Sequence, residues 1–222
     1  MLSLPLENGT RRYAAVIFDF GGVITASPFE AFERLEAERG LPRGFVRRIN
    51  SANPDGNAWA RLERSEIDTA RFDALFAEEA AAFGYALPGR DVLSVIAGKI
   101  RPEMVAALGK LRAAGYRLGC ITNNMRSEES KPDTSALGAY AEAMGCFEHV
   151  IESATAGVRK PDPRIYAMMC EALALPPEAC IYLDDLGVNC KPAAAMGMHA
   201  IKVTSGAQAL ADLGAALGME LG

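Results

Sequence analysis

Val16-Ile-Phe-Asp19-Phe-Gly-Gly-Val-Ile24 is an apolar run that delivers one carboxylate into a glycine-containing turn. Its first half, Ala14 to Phe18, lacks the polar alternation of a half-exposed strand and so predicts a strand covered on both faces. Similar short runs recur at Arg117 to Ile121, His149 to Ile151, Cys180 to Leu183 and Ala200 to Val203. Longer helical patterns separate them, which is the rhythm of an α/β protein with a parallel, Rossmann-like sheet between helices. Several helix ends are legible. Pro102 opens one helix and Gly115 closes it, Asp162 with Pro163 opens another running towards Ala174, and the Ala-rich tail from Gly206 reads as a last amphipathic helix.

The stretch from Thr25 to Gly98 breaks this alternation, with amphipathic helical patterns and no convincing strand. It reads as a helical insert, leaving 1–24 and 99–222 as the core and 25–98 as a second, smaller unit. Ser27 is the expected N-cap of its first helix, with Pro28 at the first position, Glu30 completing a capping box and Gly40 just past the end. Beyond Asp68, Phe72, Leu75, Phe76 and Phe83 fall at helical spacing, as expected for the insert's own core.

Bulk properties narrow the function. The chain has 222 residues, half of them hydrophobic, and a formal charge of −5. An acidic balance argues against a nucleic-acid partner, which a basic face usually meets. The opening MLSLPLENGTRRY interrupts its apolar residues with Pro5, Glu7 and two arginines, so neither a signal peptide nor a membrane span is expected. The protein reads as soluble and cytoplasmic. Its five cysteines are widely spaced, without a C-x-x-C pair, and read as reduced core thiols. Two histidines and no G-x-S-x-G elbow leave little basis for a histidine triad or a His-ligated metal.

Four clusters stand just past strand ends, the edge at which open parallel sheets bind ligands. Asp19 before Gly-Gly is the first, though taken alone it reads equally as a turn cap. Cys-Ile-Thr122-Asn123-Asn124 offers a hydroxyl and two amides to an anion, or ordinary turn chemistry. Lys160, in Gly157-Val-Arg-Lys-Pro-Asp-Pro163, precedes a helix N-terminus where positive charge and helix dipole both favour anions; a solvated lysine is the alternative. Asp184 and Asp185 abut at the end of a buried strand. Adjacent carboxylates repel and resist desolvation, so the pair favours a bound cation, and oxygen ligands suit magnesium.

In this order the clusters resemble motifs I to IV of the haloacid dehalogenase (HAD) superfamily, over roughly Ala14 to Val203, with 25–98 resembling its helical cap. Lys160-Pro-Asp-Pro-Arg-Ile-Tyr and Leu183-Asp-Asp-Leu-Gly-Val-Asn-Cys-Lys-Pro-Ala are similar to the phosphatase domain of soluble epoxide hydrolases. Phe-Asp-Phe-Gly-Gly-Val-Ile and Thr-Asn-Asn resemble the related domain of multidomain acyl-CoA dehydrogenases still more. The resemblance implies a hydrolase of small phosphorylated molecules in which Asp19 attacks phosphorus. It implies Mg2+ held by Asp19, the Gly21 carbonyl and Asp185, with Asp184 a direct or outer ligand and Asn189 supporting it. Phe20, Thr122, Asn123 and Lys160 are then expected to meet the phosphoryl group, with Thr122 and Lys160 counted among the catalytic groups. One departure is clear: Gly21 stands where phosphatases of this superfamily carry a second aspartate as general acid. A metal-free 2-haloacid dehalogenase and a catalytically impaired phosphate-binding module are the competing readings.

Overall fold

The computed structural model describes residues 11–96, 98–124 and 137–222. The polar segment Arg126 to Thr134, expected to form a flap or a surface loop, falls outside these residues, as do the first ten. Among the described residues, no helix is long and apolar enough to cross a membrane.

Five strands form one parallel sheet: β1 (Ala15–Phe18), β2 (Arg117–Thr122), β3 (His149–Glu152), β4 (Cys180–Asp184) and β5 (His199–Lys202). They lie in the order β3-β2-β1-β4-β5. The chain therefore winds outward from β1 to one edge and then crosses to the other, placing the reversal of strand order between β1 and β4. That is where a crevice opens above the carboxyl ends of an α/β sheet.

β1 and β4 are buried along their whole length. Side chains of β1 alternate between the two faces. Val16 and Phe18 pack with Met104, Leu108 and Leu111 of α6 (Pro102–Ala113) and with Leu210 and Leu213 of α11 (Gly206–Leu217). Ala15 and Ile17 pack with Ile165, Tyr166 and Met169 of α9 (Pro163–Ala172). Each large side chain so buried contributes about 1.5–3 kcal/mol. The central strands are thus the least movable part of the molecule, and the site stands on them.

The strand expectations hold, with differences at the ends. Thr122 and Asp184 are the last residues of their strands rather than the first beyond them, because the ladder still pairs Thr122 with Glu152 and Asp184 with Lys202. The fifth strand starts one residue earlier than expected, at His199. Gly115, at φ +82°, ends the helix that Pro102 opens.

Residues 28–94 supply five helices: α1 (Pro28–Glu38), α2 (Phe45–Ala52), α3 (Ala58–Glu63), α4 (Thr69–Ala82) and α5 (Gly89–Ser94). They surround a core of their own in which Phe72 and Phe76 are fully buried and Leu75 and Phe83 flank them. Ser27 caps α1, accepting from Phe29 N at 3.5 Å, and Gly40 at φ +65° follows its end. The Glu30 side chain is outside what is described. The two crossings to the sheet run side by side, joined by Ala26 N to Lys99 O (2.8 Å) and Arg101 N to Ile24 O (2.9 Å). The remaining helices are α7 (Leu137–Cys146), α8 (Ser153–Ala156) and α10 (Gly187–Ala195).

Candidate active site

Asp19 leaves the end of β1 with its N–H on the Leu183 carbonyl of β4 (2.8 Å), so the first and fourth motifs share one crevice. Its Oδ1 accepts from Phe20 N at 2.7 Å and lies 2.7 Å from Lys160 Nζ. Oδ2 has no partner among the described residues. The chain then makes one wide π turn, Phe20–Ile24, with Gly22 at φ +80°. A Cβ on Gly22 would lie 2.2 Å from Asp185 Oδ2, whereas a Cβ on Gly21 meets nothing within 4 Å. Gly22 is therefore required both by its backbone and by the close approach of Asp185. Gly22→Ala is expected to cost about 1–2 kcal/mol of stability through the left-handed backbone alone, and to weaken cation binding by displacing Asp185. Thermal unfolding and magnesium titration calorimetry check both effects.

Lys160 is 1% exposed and Asp184 fully buried. Lys160 Nζ donates to Asp184 Oδ2 at 2.8 Å, so one ammonium lies between two carboxylates. Burial alone would lower its pKa; the charges of Asp184 and Asp19 outweigh that and raise it above the usual lysine value. Burial pushes the Asp19 pKa well up, Lys160 opposes this, and Asp184 and Asp185 add to the rise. The Asp185 pKa is raised by burial and then by Asp184, while a hydrogen bond from Ser27 lowers it. Oxygens of Asp19, Asp184 and Asp185 lie within 4.8 Å of one another. When all three are ionised, three carboxylates against one ammonium leave two uncompensated negative charges, which a divalent, oxygen-seeking cation would cancel.

The three carboxylates are not equivalent. Asp184 Oδ1 accepts from Leu186 N (2.8 Å) and Asn189 Nδ2 (3.0 Å), and Oδ2 accepts from Lys160 and from the Tyr182 hydroxyl (2.5 Å). A carboxylate offers about four lone-pair positions, and all are used. Asp184 was expected as a direct or outer ligand of the ion; its oxygens hold Lys160, and they lie within 4.8 Å of ligand oxygens of Asp19 and Asp185. Asn189, expected to support the metal's surroundings, donates through Nδ2 to both oxygens of Asp184, at 3.0 and 3.1 Å. Asp185 keeps free acceptor capacity, with Ser27 Oγ donating to Oδ2 at 3.1 Å.

Asn123, expected to meet phosphoryl oxygens, has its side chain engaged with the segment that carries Lys160. Its Oδ1 accepts from Lys160 N (2.9 Å) and its Nδ2 donates to Lys160 O (3.1 Å), so it holds the lysine's backbone. Thr122 ends β2 half-buried, and its hydroxyl has no partner among the described residues. Phe20 offers its N–H to Asp19, and its ring meets Tyr140 at 5.1 Å.

Sequence reasoning passed over Tyr182, Glu63 and Arg159. Tyr182 carried a signal, since it lies two residues before Asp184 and so on the same face of β4. The others are joined through space, with Arg159 Nε 2.5 Å from Glu63 Oε2.

A parallel sheet with a carboxylate just past its first strand, an acid pair at the end of its fourth and a buried lysine between them defines a carboxylate-centred α/β hydrolase. The family model for haloacid dehalogenase-like hydrolases matches residues 13–197, and the chain belongs to that family. It is 33% identical over 220 residues to acyl-CoA dehydrogenase family member 10 of Mus musculus, covering 97% of this chain and 20% of that protein. It is 29% identical to bifunctional epoxide hydrolase 2 of Sus scrofa, covering 93% and 39%. The chain thus spans well under half of these larger relatives. A phosphatase of Mycobacterium tuberculosis is 27% identical, with 88% and 89% covered. A HAD-family enzyme of Bacteroides thetaiotaomicron, solved with magnesium and inorganic phosphate, shares the fold at a TM-score of 0.56 and 19% identity, covering 87% and 96%.

Proposed function

We propose that the protein is a magnesium-dependent phosphatase of a small phosphorylated metabolite, acting through an aspartyl-phosphate on Asp19. The observation that carries this reading is the buried Lys160 ammonium set between Asp19 and Asp184, beside Asp185. Asp19, Asp185 and the Gly21 carbonyl are the groups that would hold the ion. Once bound, Mg2+ supplies charge neutralisation for an anionic substrate and its transition state.

The chain's own groups account for the rest. Lys160 and Phe20 N–H fix Asp19 through Oδ1 and so orient the carboxylate that attacks phosphorus as the ester bond to the leaving oxygen breaks. Lys160 balances charge on the nucleophile and the transferred group. Thr122 offers its hydroxyl to a phosphoryl oxygen, and water then cleaves the aspartyl-phosphate. No described side chain occupies the space beside Gly21 where a general acid would project. The leaving group therefore departs without a proton from that position. This supports sugar 1-phosphates or acyl phosphates as substrates over simple alkyl phosphates.

The two surplus negative charges argue against a metal-free dehalogenase, because the site would repel a haloacid carboxylate without a cation. Hydrolysis of p-nitrophenyl phosphate and acetyl phosphate with magnesium, and again with EDTA, tests the proposal. Magnesium-dependent turnover that EDTA abolishes is expected. Silence on both substrates, or EDTA-resistant release of halide from a 2-haloacid, overturns it.

A further inference from the structure

We propose that Glu63, through its buried ion pair with Arg159, is a positioning residue that seats the helical insert on the segment carrying Lys160. The inference rests on the phosphatase reading for its kinetic consequence, but its geometry stands apart from any metal.

Glu63 ends α3 in the insert, and Arg159 belongs to the sheet side, one residue before Lys160. Their side chains are 7% and 19% exposed, with Oε2 and Nε 2.5 Å apart. The indole N–H of Trp59 donates to Glu63 Oε1 at 2.9 Å, and the Trp59 ring is set between Phe32 and Phe72 at 5.9 and 5.8 Å. The carboxylate is thereby fixed to the insert's core. Burial raises the Glu63 pKa, with the Arg159 charge the largest opposing influence.

The contact grips both ends of one segment. At its start, Ser153 Oγ donates to the Glu63 carbonyl at 2.6 Å and accepts from Asn124 N at 3.1 Å. At its end, Arg159 meets the Glu63 carboxylate and sends Nη1 to Pro54 O of the insert at 3.0 Å. Lys160 follows immediately, its backbone clasped by Asn123. The segment from Ser153 to Lys160 therefore joins Asn124, just past β2, to the catalytic ammonium, and the insert holds it through the Glu63 side chain and carbonyl together with the Pro54 carbonyl.

The chemistry of the pair favours positioning over mere stability. A buried ion pair is worth little more than well-packed apolar residues of the same volume, because desolvation offsets attraction. If the insert lifts, both charges regain water, so the contact can open and close with a small net change. Breaking it from one side, by contrast, leaves a buried charge alone and disfavours the seated arrangement.

The test compares Glu63→Gln with the double apolar variant Glu63→Met/Arg159→Met. Two readouts are taken: kcat/KM on p-nitrophenyl phosphate with magnesium, and amide hydrogen exchange across 153–160. Both variants are expected to lose about tenfold to a hundredfold in kcat/KM, the scale of a misplaced catalytic group. Exchange at 153–160 is expected to quicken while β1 and β4 stay protected, and the double variant should melt within about 4 °C of the parent. Unchanged exchange, or quicker exchange with kcat/KM kept within about twofold, overturns the proposal. A parent protein inert on every phosphate ester overturns the phosphatase reading instead, leaving exchange to decide whether Glu63 seats the segment.

Discussion

Asp19→Asn is expected to lose magnesium-dependent hydrolysis by on the order of 10⁴-fold or more, the scale seen when a covalent nucleophile is removed from a group of residues that act as a unit. The same change should stabilise the protein without metal. Burial and the neighbouring carboxylates raise the Asp19 pKa well above its usual value, which means that the ionised form is disfavoured in the folded state relative to the unfolded one. At neutral pH the unfolded chain carries this carboxylate ionised at no such cost, so an isosteric neutral amide removes the penalty. A gain of about 1 kcal/mol is in the range found when a functional site is relieved of strain. It should shrink at acid pH, as Asp19 itself becomes protonated. Kinetics on p-nitrophenyl phosphate and urea denaturation in EDTA at two pH values measure the two effects. Retained turnover would remove Asp19 from the mechanism, and a destabilised variant would show that pairing with Lys160 outweighs desolvation.

Gly21→Asp is expected to act in the opposite direction, raising turnover of alkyl phosphates. The backbone at Gly21 is extended, at φ −69° and ψ 127°, so any L-residue fits it, and an added Cβ meets no atom within 4 Å. A positioned general acid contributes on the order of 10²- to 10⁴-fold, and the gain should be largest for substrates whose leaving oxygen most needs a proton. Acetyl phosphate, whose leaving group does not, should gain far less. A steady-state comparison of the two substrate types is the measurement. Equal gains on both would point to a binding effect, and no gain on either would show that the proton arrives by another route. The nearby Gly22 is unsuited to such a change, because a side chain there meets both a positive φ and the close approach of Asp185.

The sheet was legible because a strand buried on both faces has to be an unbroken apolar run. Ala15–Phe18 meets that requirement in full, and Cys180–Asp184 does so as far as Leu183. Thr122 and Asp184 were expected outside their strands because polar residues read as turns; neighbouring strands extend the ladder to include them. The insert was legible as helical, and its aromatics as core, since Phe72 and Phe76 keep helical spacing. The candidate site was legible as four clusters: their residue types limit the chemistry, and the winding of a parallel sheet brings their strand ends together.

What the sequence by itself determined, then, was the family, the strands of a parallel sheet, the candidate nucleophile and the absence of an acid at Gly21. Only the tertiary structure decided how those groups divide their work. That Asp184 spends all its lone pairs on Lys160, Tyr182, Asn189 and Leu186 N, that Asn123 holds a backbone, and that Glu63 reaches Arg159 across 96 positions of chain are facts of side-chain direction. Hydrogen bonds and ion pairs form between groups that packing brings within about 3 Å, and no periodicity in the sequence records which groups those will be.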